Sequence, residues 1–238
     1  MQTNTLFSPH ILQLWFSTVS DSTRDVEQTI QNLFSVSEKN RLSFIKSNNK
    51  RREYSLSRAL MRHALSQYFH RQEKEWLFIE RPESAPVISN LPENVYISLS
   101  HSSGYICFAI SSRPIGIDIE AANKLRDFSA LAEIFMNEEE LDCLIQNDAT
   151  QADQFYRIWC AKEAYYKTLS CSDQSVISLK KICYSALIEG VDNWHLIEGK
   201  IEQYRFAAMV ESKPENINCS YFLSVNEFLD CINCFEIH

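Results

Sequence analysis

Apolar and polar residues alternate most strictly over Ile115-Gly-Ile-Asp-Ile-Glu120. Extended, this run puts Ile115, Ile117 and Ile119 on one face and Gly116, Asp118 and Glu120 on the other, and it predicts a strand opened by the turn-like Ser111-Ser-Arg-Pro114. A second alternating run places Val95, Ile97 and Leu99 inward and Tyr96, Ser98 and Ser100 outward. Across Ser102-Ser-Gly104 it leads into Tyr105 to Ile110, a hairpin with His101 at its tip. Helical spacing governs two longer stretches. Residues 155–169 lack Gly and Pro and carry an apolar stripe through Phe155, Ile158 and Trp159; residues 51–69 repeat Leu56, Leu60, Ala64 and Leu65. Further helices are expected over 21–34, from Ser37, over 128–135 and after Asn137, a good N-cap followed by acids. Strands are expected at 10–20, 182–188, 194–197, 204–210 and 219–225, with 82–92 a loop and 148–153 a polar break.

A chain of 238 residues, 45% of them hydrophobic, is long enough for one large domain or two smaller ones. Four glycines and six prolines argue against linkers and low-complexity tracts. Met1-Gln-Thr-Asn-Thr-Leu-Phe-Ser-Pro9 lacks the basic and apolar regions of an export signal, and no apolar run is long enough to span a bilayer. A cytoplasmic protein is expected, with no membrane partner. The eight cysteines are irregularly spaced and read as reduced thiols; Cys231-Ile-Asn-Cys234 has no second pair to complete a zinc site. The net charge of −8 argues against a general nucleic-acid binder. Yet Lys39 to Arg62 holds eight basic residues and one acid, Glu53. That run is either a solvated face or the seat of a polyanion such as phosphate, which guanidinium forks bind well.

Asp118 and Glu120 would lie about 6.5–7 Å apart along one strand face, near enough to converge on one hard divalent cation, although a solvent-facing strand edge would show the same alternation. Gly116 on that face would leave backbone open to a ligand. Glu163 and Lys167 continue the Trp159 line of the second helix, either as an exposed ion pair or as functional charge beside buried aromatic surface. Each half of the chain carries a strand, a charged helix and further strands. An α+β fold of two similar α/β lobes, residues 1–112 and 113–238, is therefore expected, with a site between them.

Together, Ile115-Gly-Ile-Asp-Ile-Glu120 and Trp159-Cys-Ala-Lys-Glu-Ala-Tyr-Tyr-Lys167 resemble the paired signature of the 4'-phosphopantetheinyl transferases. Ile97-Ser-Leu-Ser-His-Ser102 and Ser57-Arg-Ala-Leu-Met-Arg62 are similar to further family segments, in the order of the larger, pseudodimeric surfactin-type (Sfp-type) class, over roughly residues 35–170. The resemblance implies Mg²⁺-dependent transfer of the 4'-phosphopantetheine arm from coenzyme A to a serine of an apo acyl or peptidyl carrier protein, by a monomer. It implies Asp118, Glu120 and Glu163 as metal ligands, and Glu163, Lys167, Lys162 and Asp118 as catalytic residues. Arg51, Arg52, Arg58, Pro86, Ser100, His101 and Lys167 are implied on the coenzyme A side. One departure is Ser84-Ala-Pro86, where many relatives carry Gly-Lys-Pro. A non-catalytic coenzyme A or carrier-protein binding relative is the alternative. Another Mg²⁺-dependent phosphotransferase is disfavoured, because four scattered glycines cannot form a phosphate loop.

Overall fold

The computed structural model describes residues 11–19, 24–81, 84–122, 128–145, 151–224, 227–229 and 236–237. Two antiparallel-rich sheets pack face to face, each covered outside by a long helix. The first sheet has the order β10 (Glu227–Leu229), β9 (Asn216–Ser224), β1 (Ile11–Thr18), β5 (Tyr105–Ser111), β4 (Tyr96–Ser102). The second has the order β11 (Glu236–Ile237), β7 (Trp194–Ile201), β8 (Tyr204–Glu211), β6 (Ile115–Ala121). The chain is thus mixed α+β, as expected. Strand β9, from the C-terminal half of the sequence, lies parallel to β1 and completes the first sheet.

Strand alternation builds the layers. On β1 and β5, Trp15, Ile106, Phe108 and Ile110 face α3 (Asn48–Phe69), which lays Leu56, Leu60, Ala64 and Leu65 against them. Their other faces, including Leu14, Phe16, Cys107 and Ala109, meet Ile115, Ile117 and Ile119 of β6 and Phe206, Ala208 and Val210 of β8 in a core between the sheets. The opposite face of β6 and β8 is covered by α6 (Gln151–Tyr166), with α4 (Phe128–Phe135), α5 (Glu138–Ile145) and α8 (Tyr184–Glu189) around it. Because both faces of β6 are covered, its alternation is not that of a solvent-facing edge: Asp118 is only 6% exposed.

Local chemistry sets the ends of these elements. Ser103 and Gly104 both adopt positive φ, the pairing a two-residue hairpin turn requires. Ser47 caps α3, which starts three residues earlier than its apolar period indicates. Asn137 caps α5 as expected: the Glu140 amide donates to its side chain and its own amide donates to the Glu140 carboxylate. Two expectations fail. The segment expected as a loop, residues 82–92, holds β3 (Ser84–Ile88), which pairs with β2 (Phe78–Arg81), and Pro86 is accommodated in this two-stranded ribbon. The segment 182–188 holds α8 rather than a strand, a short apolar run whose type periodicity alone does not decide. Cys231 and Cys234 lie outside the described residues.

Gly116 also has a different role from the one its sequence setting suggests. A Cβ there would stand 2.0 Å from the Ala164 carbonyl oxygen of α6. The bare backbone admits a helix, not a ligand, and this contact sets how closely α6 approaches β6.

Candidate active site

A cleft of about 640 Å³ opens where α3, the β2–β3 hairpin, β4 and β6 meet. One wall is a single face of α3, on which Lys50, Glu53, Tyr54, Ser57 and Arg58 follow at intervals of three and one. Arg41, near the end of α2 (Val36–Phe44), and Pro86 of β3 add to its sides; Ser100, His101, Asp118 and Lys167 form its base.

At that base the Asp118 carboxylate is bound on one side only. Its Oδ1 accepts hydrogen bonds from Ser100 Oγ and Lys167 Nζ, each at 2.8 Å. Its Oδ2 is buried without a hydrogen-bond partner. Lys167 Nζ also donates to the Ile117 carbonyl at 2.8 Å and to Ser100 Oγ at 3.1 Å. Burial pushes the Asp118 carboxyl above the usual carboxylate range, against the pull of Lys167 and Ser100. Glu163 is raised as well, first by burial and then by the negative charges of Asp118 and Glu120. The three acids therefore repel one another at one place. Among the described residues, however, no three His, Cys, Asp or Glu side chains stand close enough to hold a metal ion without rearranging.

Higher in the cleft, Arg58 and His101 each have an acid partner. Arg58 binds Glu80 through Nε at 2.7 Å and Nη2 at 3.0 Å, with its guanidinium 4.6 Å from the Tyr54 ring centre. His101 Nδ1 stands 2.9 Å from Glu53. Arg41 and Lys50 therefore matter to the cleft's positive charge.

Residues 114–208 match the 4'-phosphopantetheinyl transferase superfamily. The chain is 30% identical over 112 residues to the 4'-phosphopantetheinyl transferase Sfp of Bacillus subtilis, a match covering 47% of this chain and 49% of that protein. It is 28% identical over 152 residues to the 4'-phosphopantetheinyl transferase gsp of Aneurinibacillus migulanus, covering 61% of each. A putative 4'-phosphopantetheinyl transferase of Haemophilus influenzae is 37% identical over 84 residues, 33% of this chain and 34% of that one. The chain thus spans about half the length of the curated relatives it matches. The resemblance to Sfp-type transferases read from the motifs is borne out by both comparisons.

The phosphopantetheinyl transferase match begins at Pro114, just before β6, and ends at Ala208 in β8, so it contains all three acids and Lys167. Several residues implied by the resemblance are brought together: Arg58, Pro86, Ser100, His101, Asp118 and Lys167 share the cleft. Others are not. Arg51 donates to the Leu42 and Ile45 carbonyls at 2.5 and 3.3 Å, closing the end of α2. Arg52 is not among the residues lining the cleft. Lys162 is fully buried on the far side of α6, bound to Glu140 and to the Phe135 carbonyl. Its neighbour in sequence, Glu163, points the other way because consecutive helical residues stand about 100° apart. Arg41 and Lys50 lie in the same basic run but were not singled out by motif; the three-to-four spacing of Lys50, Tyr54, Ser57 and Arg58 was the available signal.

Proposed function

We propose that the chain transfers the 4'-phosphopantetheine arm of coenzyme A to a serine hydroxyl of an apo acyl, polyketide or peptidyl carrier protein, releasing adenosine 3',5'-bisphosphate. The reading is carried by Asp118: a buried carboxylate at the base of a cation-lined cleft, with one oxygen fully engaged and the other unpartnered. An unpaired anionic oxygen away from water calls for a cation, and Glu120 and Glu163 supply the hard oxygen donors that suit Mg²⁺. Asp118, Glu120 and Glu163 would hold that ion, which when bound neutralises charge on the pyrophosphate.

The chain's own groups supply the rest. Lys167, partly exposed beside Asp118, is placed to meet a phosphate entering the cleft. Glu163 takes the serine proton directly or through a water it orients. Arg41, Lys50, Arg58, His101 and Ser100 form the coenzyme A side, with Arg58 partly neutralised by Glu80 and His101 held against Glu53. Lys162 anchors α6 and takes no part in the chemistry. In this reading residues 1–112 contribute the coenzyme A lobe and 113–238 the acids, apart from β9 and β10, which complete the first sheet. Both sides of the site come from one polypeptide, so a monomer suffices. We place the reaction in the cytoplasm, where coenzyme A and apo carriers occur; no described helix is long and apolar enough to cross a membrane.

The test is intact-mass spectrometry of apo carrier proteins incubated with this protein, coenzyme A and Mg²⁺. A metal-dependent gain of one phosphopantetheinyl group, lost in Asp118→Ala and Glu163→Gln, is expected. No gain on fatty-acid, polyketide or peptide carriers, with coenzyme A still bound, would turn the reading to a non-catalytic coenzyme A-binding relative.

A further inference from the structure

The two sheets meet along a seam that backbone pairing does not close. Strand β4 is the edge of the first sheet and β6 the edge of the second, and an edge strand's free amides need partners. Serine side chains on β4 provide them. The Ile117 amide donates to Ser98 Oγ at 3.0 Å, and the Ile119 amide to Ser100 Oγ at 3.3 Å. Two residues further along, Ser102 Oγ donates to Glu120 Oε2 at 2.5 Å, as Ser100 Oγ does to Asp118 Oδ1 at 2.8 Å. The ladder keeps the two-residue period of both strands, so the serines on one side of β4 serve the amides and the acids of β6 together. Ser98 touches backbone only; Ser102 touches a carboxylate.

We infer that Ser102 is a positioning residue whose hydroxyl orients the Glu120 carboxylate toward the divalent cation shared with Asp118. This rests on the reading of Asp118, Glu120 and Glu163 as a metal site. A glutamate has three rotatable side-chain bonds, and a hydroxyl fixed on a neighbouring strand narrows the orientations its carboxylate samples. The short distance suits a hydroxyl donating to an ionised carboxylate, one of the stronger hydrogen bonds a protein makes. Ser102 is 7% exposed, so water competes poorly for that bond. Ser102 supplies no catalytic atom; it acts on the metal through Glu120.

The experiment measures Mn²⁺ binding to the full chain by electron paramagnetic resonance of the free ion, without coenzyme A or carrier protein. Ser102→Ala is expected to raise the Mn²⁺ Kd about tenfold. Ser102→Thr, which keeps the hydroxyl, is expected to stay near wild type. Ser98→Ala, which removes the same kind of seam contact without touching an acid, is expected to lower Tm and leave the Mn²⁺ Kd unchanged. Should Ser102→Ala not fold, Ser102→Cys, similar in size and only a weak donor, replaces it with the same expectation. An unchanged Kd in the Ala or Cys variant overturns the inference alone. Equal weakening in Ser98→Ala also overturns it, because a loosened seam would then explain both. A wild-type chain that binds no Mn²⁺ removes the metal reading itself.

Discussion

Gly116→Ala tests whether the packing of α6 on β6 is what brings the acids together. The added Cβ would stand 2.0 Å from the Ala164 carbonyl oxygen and 3.0 Å from Thr168 Cγ2. To reach ordinary van der Waals separation at 3.4 Å, the carbonyl must retreat by about 1.4 Å. That atom is helical backbone and cannot swing aside as a side-chain tip would, so α6 as a whole tilts or β6 buckles. Overpacking of this kind costs about 3 kcal/mol or somewhat more. In a domain of this size that lowers Tm by about 6–12 °C. The displacement also separates Glu163, on α6, from Asp118, on β6, and misplacement near 1 Å costs about 100-fold in rate. The assay is thermal unfolding by circular dichroism, together with carrier-protein mass gain measured at a temperature where the variant is folded. An alanine variant with wild-type Tm and wild-type turnover would refute the argument, since the helix would then not depend on a bare backbone at residue 116.

Other predictions separate side chains inside the cleft from those outside it. Lys162→Met should lower stability by about 3–5 kcal/mol, because Glu140 is left charged and buried, yet its folded fraction should keep transferring; a stable but inactive variant would return Lys162 to the catalytic set. Arg41→Ala and Lys50→Ala should each raise the KM for coenzyme A severalfold, while Arg51→Ala should lower Tm with KM unchanged, as steady-state kinetics and melting curves on the same preparations will show. Alkylation read by peptide mapping should spare Cys107 and Cys160, whose thiols burial pushes up, and should label Cys183. Ser185 and nearby backbone amides hold Cys183 below the usual thiol range, so its thiolate persists at lower pH and its labelling should decline later on acidification than that of a free cysteine in solution. Rapid labelling of native Cys107 would contradict the packing between the sheets.

How much of this was legible in the sequence depended on whether the information was local. The alternation of Ile115 to Glu120, the cap at Asn137 and the turn at Ser103-Gly104 are written in a few adjacent residues, and the structure follows them. The β2–β3 hairpin was hidden because Pro82 and Pro86 signal loops unless one knows that the ribbon is short and exposed. The serines of β4 read as the solvent side of a strand, and only the arrival of β6 from another sheet turns that face inward. Arg51 and Arg52 outranked Arg41 and Lys50, although the rotation of about 100° per residue along α3 puts Lys50 in the cleft and its two neighbours outside it. Lys162 shows the same limit: a charged residue within a functional signature can be there for the helix's own anchoring.

The place of β1 bears on how the chain is made. Its two neighbours are β5, about 90 residues downstream, and β9, about 200 residues downstream. At ribosomal speeds of 5–20 residues per second, the second partner is synthesised about 10–40 s after β1. Over that interval one edge of an apolar strand carrying Leu12, Leu14 and Phe16 has no native cover. The N-terminal half is therefore not a module that can finish folding before the rest is synthesised. Shortening the chain before Asn216 would strip the first sheet of a strand next to its centre, and the resulting protein should aggregate rather than persist as a folded half.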